Sequence, residues 1–218
     1  MKKIILILTI LGIIGYVGFR LMTRSVIISE DNTINTISQN ELSGEKYTLI
    51  PDQSQATFEL GEDLRGERVQ VIGTTQVLSG DVSLENNALQ IGNFTIDART
   101  FKTDSEQRDG AIARMILKSV ETGNEFITFH PTIISGLSQE LSIGQEYQYQ
   151  ITGDLTIKGI TQSVVFEATT TLVDEQTIIG SANVVITYAD FDISVPNFPF
   201  LANVDEQVTL AIQFTAQK

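Results

Sequence analysis

Between Tyr147 and Thr171 the chain reads YQYQITGDLTIKGITQSVVFEATTT. Tyr147, Tyr149, Ile151, Leu155 and Ile157 share one parity, and Gln148, Gln150, Thr152, Asp154 and Thr156 share the other. Successive side chains of a strand point to opposite faces, so this pattern predicts a strand that is apolar on one side and polar on the other. Lys158-Gly159 interrupts it, and glycine supplies the positive φ of a tight hairpin turn. The return strand carries Val164, Phe166 and Ala168 on one face and Glu167 and Thr169 on the other. A hairpin dry on one side and wet on the other fits the wall of an antiparallel barrel or sandwich.

The same period recurs at Ala56–Leu60, Val69–Val77, Val82–Leu84, Leu89–Ala98, Phe126–Ile134, Ile178–Tyr188 and Val208–Thr215. Gly, Asn and Asp clusters separate these runs, as at Ser79-Gly80-Asp81, Glu85-Asn86-Asn87 and Gly92-Asn93. About eight short strands of this kind predict an all-β sandwich or barrel. One segment departs from the period. Thr103-Asp104-Ser105-Glu106 reads as a capping box with Thr103 at the N-cap, followed by Ile112, Met115 and Ile116 at helical spacing, so one short helix is expected over about 105–118. Asp154 and Lys158 read as turn chemistry with a surface charge pair, and Asp205 as a turn residue before the last strand.

Three segments are expected along the 218 residues: an N-terminal membrane anchor or signal segment over 1–24, a flexible linker over 25–46, and a folded domain over 47–218. Met1-Lys2-Lys3 precedes sixteen residues, Ile4 to Phe19, of which only Thr9 is polar, and Arg20 and Arg24 follow. A cleaved signal peptide needs small residues at its cleavage site, and Phe19 to Ser25 offers no Ala-x-Ala. Residues 4–22 approach the span of a bilayer, with Arg20 able to snorkel, so the reading favoured is an N-terminal hydrophobic helix that anchors an exported domain to the membrane. Residues 25–46 are mostly Ser, Thr, Asn, Gln and acids with no sustained period, which reads as a tether; Val26–Ile28 is the one stretch with strand character.

The domain is acidic. Residues 47–218 hold 9 Lys and Arg against 23 Asp and Glu, a net charge of −14. Such a surface repels phosphate backbones and excludes nucleic acid as a partner. There is no Cys and a single His, His130, so thiolate metal sites and His clusters are excluded, and His130 before Pro131 reads as a surface residue. No nucleophile elbow or phosphate loop is present. No catalytic residues, metal or cofactor are therefore expected, and the chain does not read as an enzyme.

The series of motifs resembles one family. GDLTIKGIT (Gly153–Thr161) is similar to the GDLTI-x-G-(V/I)-T signature of the YceI-like family. Tyr47–Phe58 resembles its opening strand, Val77–Val82 its next strand, Ser105–Asp109 its Arg-Asp helix start, Glu125–Phe129 the strand that follows, and Asp190–Ile193 and Val204–Val208 its final strands. The resemblance spans about residues 47–218. It implies that the strands close into an eight-stranded antiparallel lipocalin-like barrel, a choice the periodicity leaves open. It also implies an apolar tunnel that holds a polyisoprenoid, such as the tail of a long-chain quinone. The tunnel lining expected on this basis is Phe58, Leu60, Phe94, Ile96, Leu155, Ile157, Val164, Phe166, Phe191, Ile193, Leu210, Ile212 and Phe214. Ile112, Met115 and Ile116 would close one end, and Phe198, Phe200 and Leu201 would lie at the rim. The resemblance makes Arg108 and Asp109 the candidate mouth or head-group residues, while the residues themselves favour a charged pair on the first helical turn.

The sequence departs from the family at Ile50 and Gln53, where Asp and His are common, and at Ala111, where a His follows the Arg-Asp pair. The expectation therefore rests on the tail. The function expected is binding or carrying of an isoprenoid-type lipid outside the cytoplasmic membrane, with the membrane as second partner through the N-terminal segment. The alternative is a filled barrel acting as an envelope interaction or stress-response module.

Overall fold

The computed structural model describes residues 34–36, 42–137, 140–196 and 199–218. The expected anchor, the Val26–Ile28 stretch and Phe198 lie outside the described residues. The strands are β1 (Ile34–Thr36), β2 (Glu45–Leu49), β3 (Gln55–Leu64), β4 (Glu67–Thr75), β5 (Leu78–Glu85), β6 (Ala88–Asp97), β7 (Phe126–Ser135), β8 (Glu146–Ile157), β9 (Ile160–Asp174), β10 (Thr177–Thr187), β11 (Leu201–Ala202) and β12 (Gln207–Gln217). One short helix, α1 (Glu106–Ala111), lies between β6 and β7.

The β8–β9 hairpin forms in the expected register, from Glu146↔Thr171 to Ile157↔Ile160. Lys158 and Gly159 both take left-handed conformations, φ 52° and 73°, which is the backbone of a two-residue turn whose twist matches that of its strands. Along β8 every odd residue from Tyr147 to Ile157 is buried and the even ones face outward.

Closure follows from β10, which pairs with β9 on one edge and with β12 on the other. The ring runs β10, β9, β8, β7, β6, β5, β2, β12 and back to β10, a closed eight-stranded antiparallel barrel. The opening strand of the sequence reading is two strands. β2 and β3 both pair with β12, through Leu49↔Ala216 and Ala56↔Ile212, and a 3₁₀ turn at Pro51–Gln53 separates them. Pro51 has no N–H to give the ladder. The ladder resumes at Ser54, whose hydroxyl accepts from the Thr215 N–H at 3.2 Å. β3 then turns back into β4, which extends the wall beyond the ring and is bridged to Lys102 through Thr74.

Two local expectations are corrected. Ser105, not Thr103, caps α1: its hydroxyl accepts from the Arg108 N–H, while the Thr103 hydroxyl donates to the Asp109 carboxylate at 2.8 Å. Thr103 is therefore occupied by a longer-range partner. Nor is the helix uniformly α. Over Ile112–Ile116 it widens into a π turn, with the Leu117 N–H donating to the Ile112 carbonyl at 2.8 Å, and Lys118 ends it at φ 50°. Within the segment read as a tether, β1 pairs with β7 (Ile34↔Ser135 to Thr36↔Ile133), where β7 runs beyond its contact with β6. Three residues suffice there because β7 supplies the template and no period is needed.

One end of the barrel is filled. Leu137 and Leu141, in the β7–β8 connection, are buried in the same apolar cluster as Tyr47, Tyr147 and Ile178. The Tyr47 hydroxyl donates to the Glu175 carbonyl at 3.1 Å and the Tyr147 hydroxyl to that of Glu140 at 3.2 Å. The other end, at the Lys158-Gly159 turn and the start of β12, carries α1 and the π turn.

Candidate functional site: a two-chamber apolar lumen

Above the filled end the barrel is hollow. An inner chamber of about 80 Å³ is lined by Val82, Ile91, Phe94, Ile96, Phe129, Tyr149, Ile151, Leu155, Phe166, Ala168, Ala182, Ile212 and Phe214, among others. An outer chamber of about 180 Å³ is lined by Phe58, Leu60, Val71, Ile112, Ile116, Leu117, Ile157, Ile186, Ile193, Val195, Leu201, Val204 and Val208, with Glu62, Arg108 and Tyr188 as its polar members. Phe101, Ile127 and Leu210 line both chambers and form the neck where they meet.

A barrel with this many inward phenylalanines would ordinarily fill itself. Four glycines prevent it. The rings of Phe58, Phe94, Phe129 and Phe214 lie over Gly73, Gly80, Gly153 and Gly180 on neighbouring strands, so close that a Cβ at each glycine would stand 2.1, 2.8, 2.6 and 2.5 Å from the ring. Phe58↔Gly73, Phe94↔Gly80 and Phe214↔Gly180 are direct cross-strand partners. A strand glycine leaves its place on the wall to a neighbouring aromatic ring, which then lies along the wall instead of across the lumen.

Of the residues expected to line a tunnel, the outer chamber receives Phe58, Leu60, Ile112, Ile116, Ile157 and Ile193, the inner one Phe94, Ile96, Leu155, Phe166, Ile212 and Phe214, and Leu210 reaches both. Three do not line either chamber. Met115 is 42 % exposed, because the π turn rotates it off the face that Ile112 and Ile116 share. Phe191 is fully buried in the 3₁₀ turn Tyr188–Phe191, which packs beneath the end of β10. Val164 packs half-buried against the core without reaching the lumen.

Arg108 and Asp109 part company. The Arg108 guanidinium enters the outer chamber and donates to Glu62 Oε1 at 3.1 Å, with the side chains only 18 % and 11 % exposed, and its other side pairs with Asp104. Asp109 points the other way. Its carboxylate accepts from the Thr103 N–H at 2.7 Å and the Thr103 hydroxyl, with Lys102 Nζ at 3.5 Å. Burial raises the proton affinity of this carboxyl, but the bonds from Thr103 and the charge of Lys102 outweigh it, and its pKa falls below the usual aspartate value. Asp109 fixes the helix to the preceding loop and is not a mouth residue.

Glu62 continues the inward parity of Ala56, Phe58 and Leu60, so an acid on an apolar face two residues past Leu60 was the signal for it. Phe101 carried no such signal, because it lies in the β6–α1 connection outside any strand period. In the deep wall the Tyr149 hydroxyl shares a 2.7 Å hydrogen bond with the Thr170 hydroxyl, and burial pushes the tyrosine pKa up to about 12, partly offset by that bond. Tyr149 is thus a neutral phenol at any ordinary pH.

His130 is exposed on the outer wall opposite Asp154. Lys158 does not pair with Asp154, since four residues along a strand span ~13 Å. Its ammonium lies 3.6 Å from Asp192 and donates to the Asp192 carbonyl. Asp205 is more than a turn residue: it accepts from the Gly61 N–H at 3.0 Å and pairs with Arg68 at 2.5 Å, tying the loop before β12 to β3 and β4. Among the described residues no group of three or more His, Asp or Glu side chains is arranged to hold a metal ion.

Comparison with known proteins agrees with this geometry. The YceI-like domain family matches residues 47–216. The chain belongs to the YceI-like family. Among solved structures it is similar to a polyisoprenoid binding domain from Saccharophagus degradans implicated in plant cell wall breakdown, at 16 % identity and a TM-score of 0.62, covering 78 % of this chain and 97 % of that one. It is similar to Burkholderia cenocepacia BcnA at 16 % identity and a TM-score of 0.60, covering 78 % and 99 %. Campylobacter jejuni YceI aligns at 20 % identity and a TM-score of 0.50, covering 65 % and 81 %. At these identities the likeness is one of fold. A comparison with curated proteins gives no match.

Proposed function

We propose that this barrel binds and carries an isoprenoid-type amphiphile, with the tail in the lumen and the head near Arg108 and Glu62 in the outer chamber. The observation that carries the reading is the lumen itself: a hollow whose lining is apolar along its length, with its charged groups confined to the outer chamber. Burying an apolar tail is worth about 0.8 kcal/mol per CH₂, so affinity comes without a dense polar site. Family membership and the polyisoprenoid-binding neighbour support the same ligand class. A long-chain quinone is the favoured ligand, because Arg108, already balanced by Glu62 and Asp104, retains donors for a neutral acceptor.

The protein acts, in this reading, outside the cytoplasmic membrane. Its apolar N-terminal segment, flanked by Lys2, Lys3, Arg20 and Arg24, serves as anchor, and the polar residues 25–46 keep the barrel near the bilayer that supplies the lipid. It binds without chemistry of its own.

Native mass spectrometry of the full chain, extracted gently from cells that export it, tests the reading. A lipid-mass adduct released by organic solvent is expected. A clean apo mass that persists after incubation with isoprenoid quinones overturns the carrier function and leaves the ligand-free interaction module. Within a folded protein, judged by circular dichroism, Leu155→Arg is expected to abolish the adduct, because it places a charge in the inner chamber.

A further inference from the structure

We propose that Phe101 is a stopper that divides the tail site in two and sets which tail lengths the protein retains. The proposal rests on the lipid-binding reading above.

Phe101, Ile127 and Leu210 are the side chains common to both chambers, so a tail passing from one to the other must pass between them. The three are held differently. Ile127 is paired within β7 and Leu210 within β12, on the ladders that close the barrel. Their backbones are fixed in the ring, and their short branched side chains sweep much less of the neck than a phenyl ring does. Phe101 belongs to no strand. It hangs from the β6–α1 connection, pinned on one side by Thr100, whose hydroxyl lies 2.6 Å from that of Thr75, and on the other by the reciprocal Thr74–Lys102 bridge, both bonds 2.8 Å. Its ring is 7 % exposed and stands edge-on to Phe58, centroids 5.3 Å apart. The backbone is clamped while the ring protrudes between two hollows, so χ rotation of one side chain opens or shuts the neck.

Tail affinity then rises in two stages. Short tails fill the outer chamber and leave Phe101 in place. Intermediate tails reach the ring and gain nothing from added length. Longer tails displace it and gain again as they enter the inner chamber, which the packed Tyr47, Tyr147 and Leu141 close beyond. An isoprene unit adds five apolar carbons, so each unit buried tightens Kd by at least about tenfold.

The test is Kd of the full chain for a series of polyprenyl alcohols from two to eight isoprene units. The wild type is expected to tighten, stall over the middle lengths and tighten again. Phe101→Ala merges the chambers, so the stall disappears and Kd tightens steadily with each added unit, whatever uniform weakening follows from losing the ring's own contacts in the outer chamber. The chain has no tryptophan, so Phe101→Trp places its only indole at the neck. Its emission is expected to change most sharply at the tail length where affinity resumes its rise, because that is where the ring is displaced. A wild-type series without a stall, a stall that survives in Phe101→Ala, or an emission change already complete with the shortest alcohol overturns the stopper while leaving lipid binding intact. Folded protein that binds no alcohol of any length overturns the lipid reading and the stopper with it. Where Phe101→Ala does not fold, Phe101→Leu carries the same comparison.

Discussion

The residues that matter most singly are those whose polar atoms have one partner each. Tyr149 and Thr170 satisfy each other in the wall of the inner chamber. Tyr149→Phe strands the Thr170 hydroxyl and is expected to cost about 1–2 kcal/mol, while Tyr149→Phe with Thr170→Val removes both polar groups and is expected to recover most of it. Urea denaturation of the single and double variants checks this; a double variant no better than the single sinks the pairing. Asp109 has the complementary role at the surface of the helix. Asp109→Ala is expected to cost about 1–2 kcal/mol, at the low end for a charged acceptor because Lys102 and part of Thr103 are solvated. The loss should come without a change in lipid binding, since the carboxylate faces away from the chamber. A loss of affinity at unchanged stability would instead restore it as a mouth residue.

Among elements, the glycine–phenylalanine pairs join strand register to the existence of a lumen. Gly180 and Phe214 face each other across β10 and β12, the pairing that closes the barrel. A Cβ at position 180 would meet the Phe214 ring at 2.5 Å and the Thr169 carbonyl at 3.0 Å. Gly180→Ala is therefore expected to destabilise by about 1–3 kcal/mol and to drive the ring into the inner chamber. Its checkable consequence is a selective loss of long-tailed ligands, measured with the polyprenyl alcohol series; equal affinity for all lengths would show that the ring is free to move elsewhere. Much of this was legible in part. The alternation placed seven strands near their observed bounds, caught only the first half of β3 and the second half of β5, and Lys158-Gly159 marked the turn. The pairing of particular glycines with particular rings was not legible, because register between β10 and β12 is set by closure and not by either strand alone. The π turn was hidden for a similar reason: Ile112, Met115 and Ile116 suit an ordinary helix, and only packing against the outer chamber draws Ile112 and Ile116 inward and leaves Met115 out.

For the whole molecule the controlling quantity is charge. At neutral pH a formal charge of −13 strains the fold by self-repulsion. Lowering the pH relieves this until the native carboxylates begin to protonate. Hydrogen bonds from Arg99 hold the Asp97 pKa below its ordinary value, those from Arg68 do the same for Asp205, and those of Thr103 do so for Asp109 against the opposing effect of burial. A carboxyl whose folded pKa is depressed contributes stability above its unfolded value, about 3.9, and that contribution is lost as pH falls through the folded value. The thermal midpoint is expected to hold or rise from pH 8 to about 5 and to drop below about 4. A midpoint that keeps rising below that range contradicts the role of the three pairs.

Side-chain alternation along the chain was enough to set the class of fold, the faces of its strands and the apolar character of the interior. These are local properties: side-chain parity is a consequence of backbone geometry, and each run of alternation carries its own inside and outside. Tertiary structure alone decided that the interior stays open, that Phe101 divides it, and that Arg108 turns to Glu62 while Asp109 turns to Thr103. Those outcomes depend on which side chains closure of the ring brings together, across 46 residues of chain in the case of Arg108 and Glu62. No period in a sequence encodes that distance; it is fixed only when β10 meets β12 and the wall becomes a barrel.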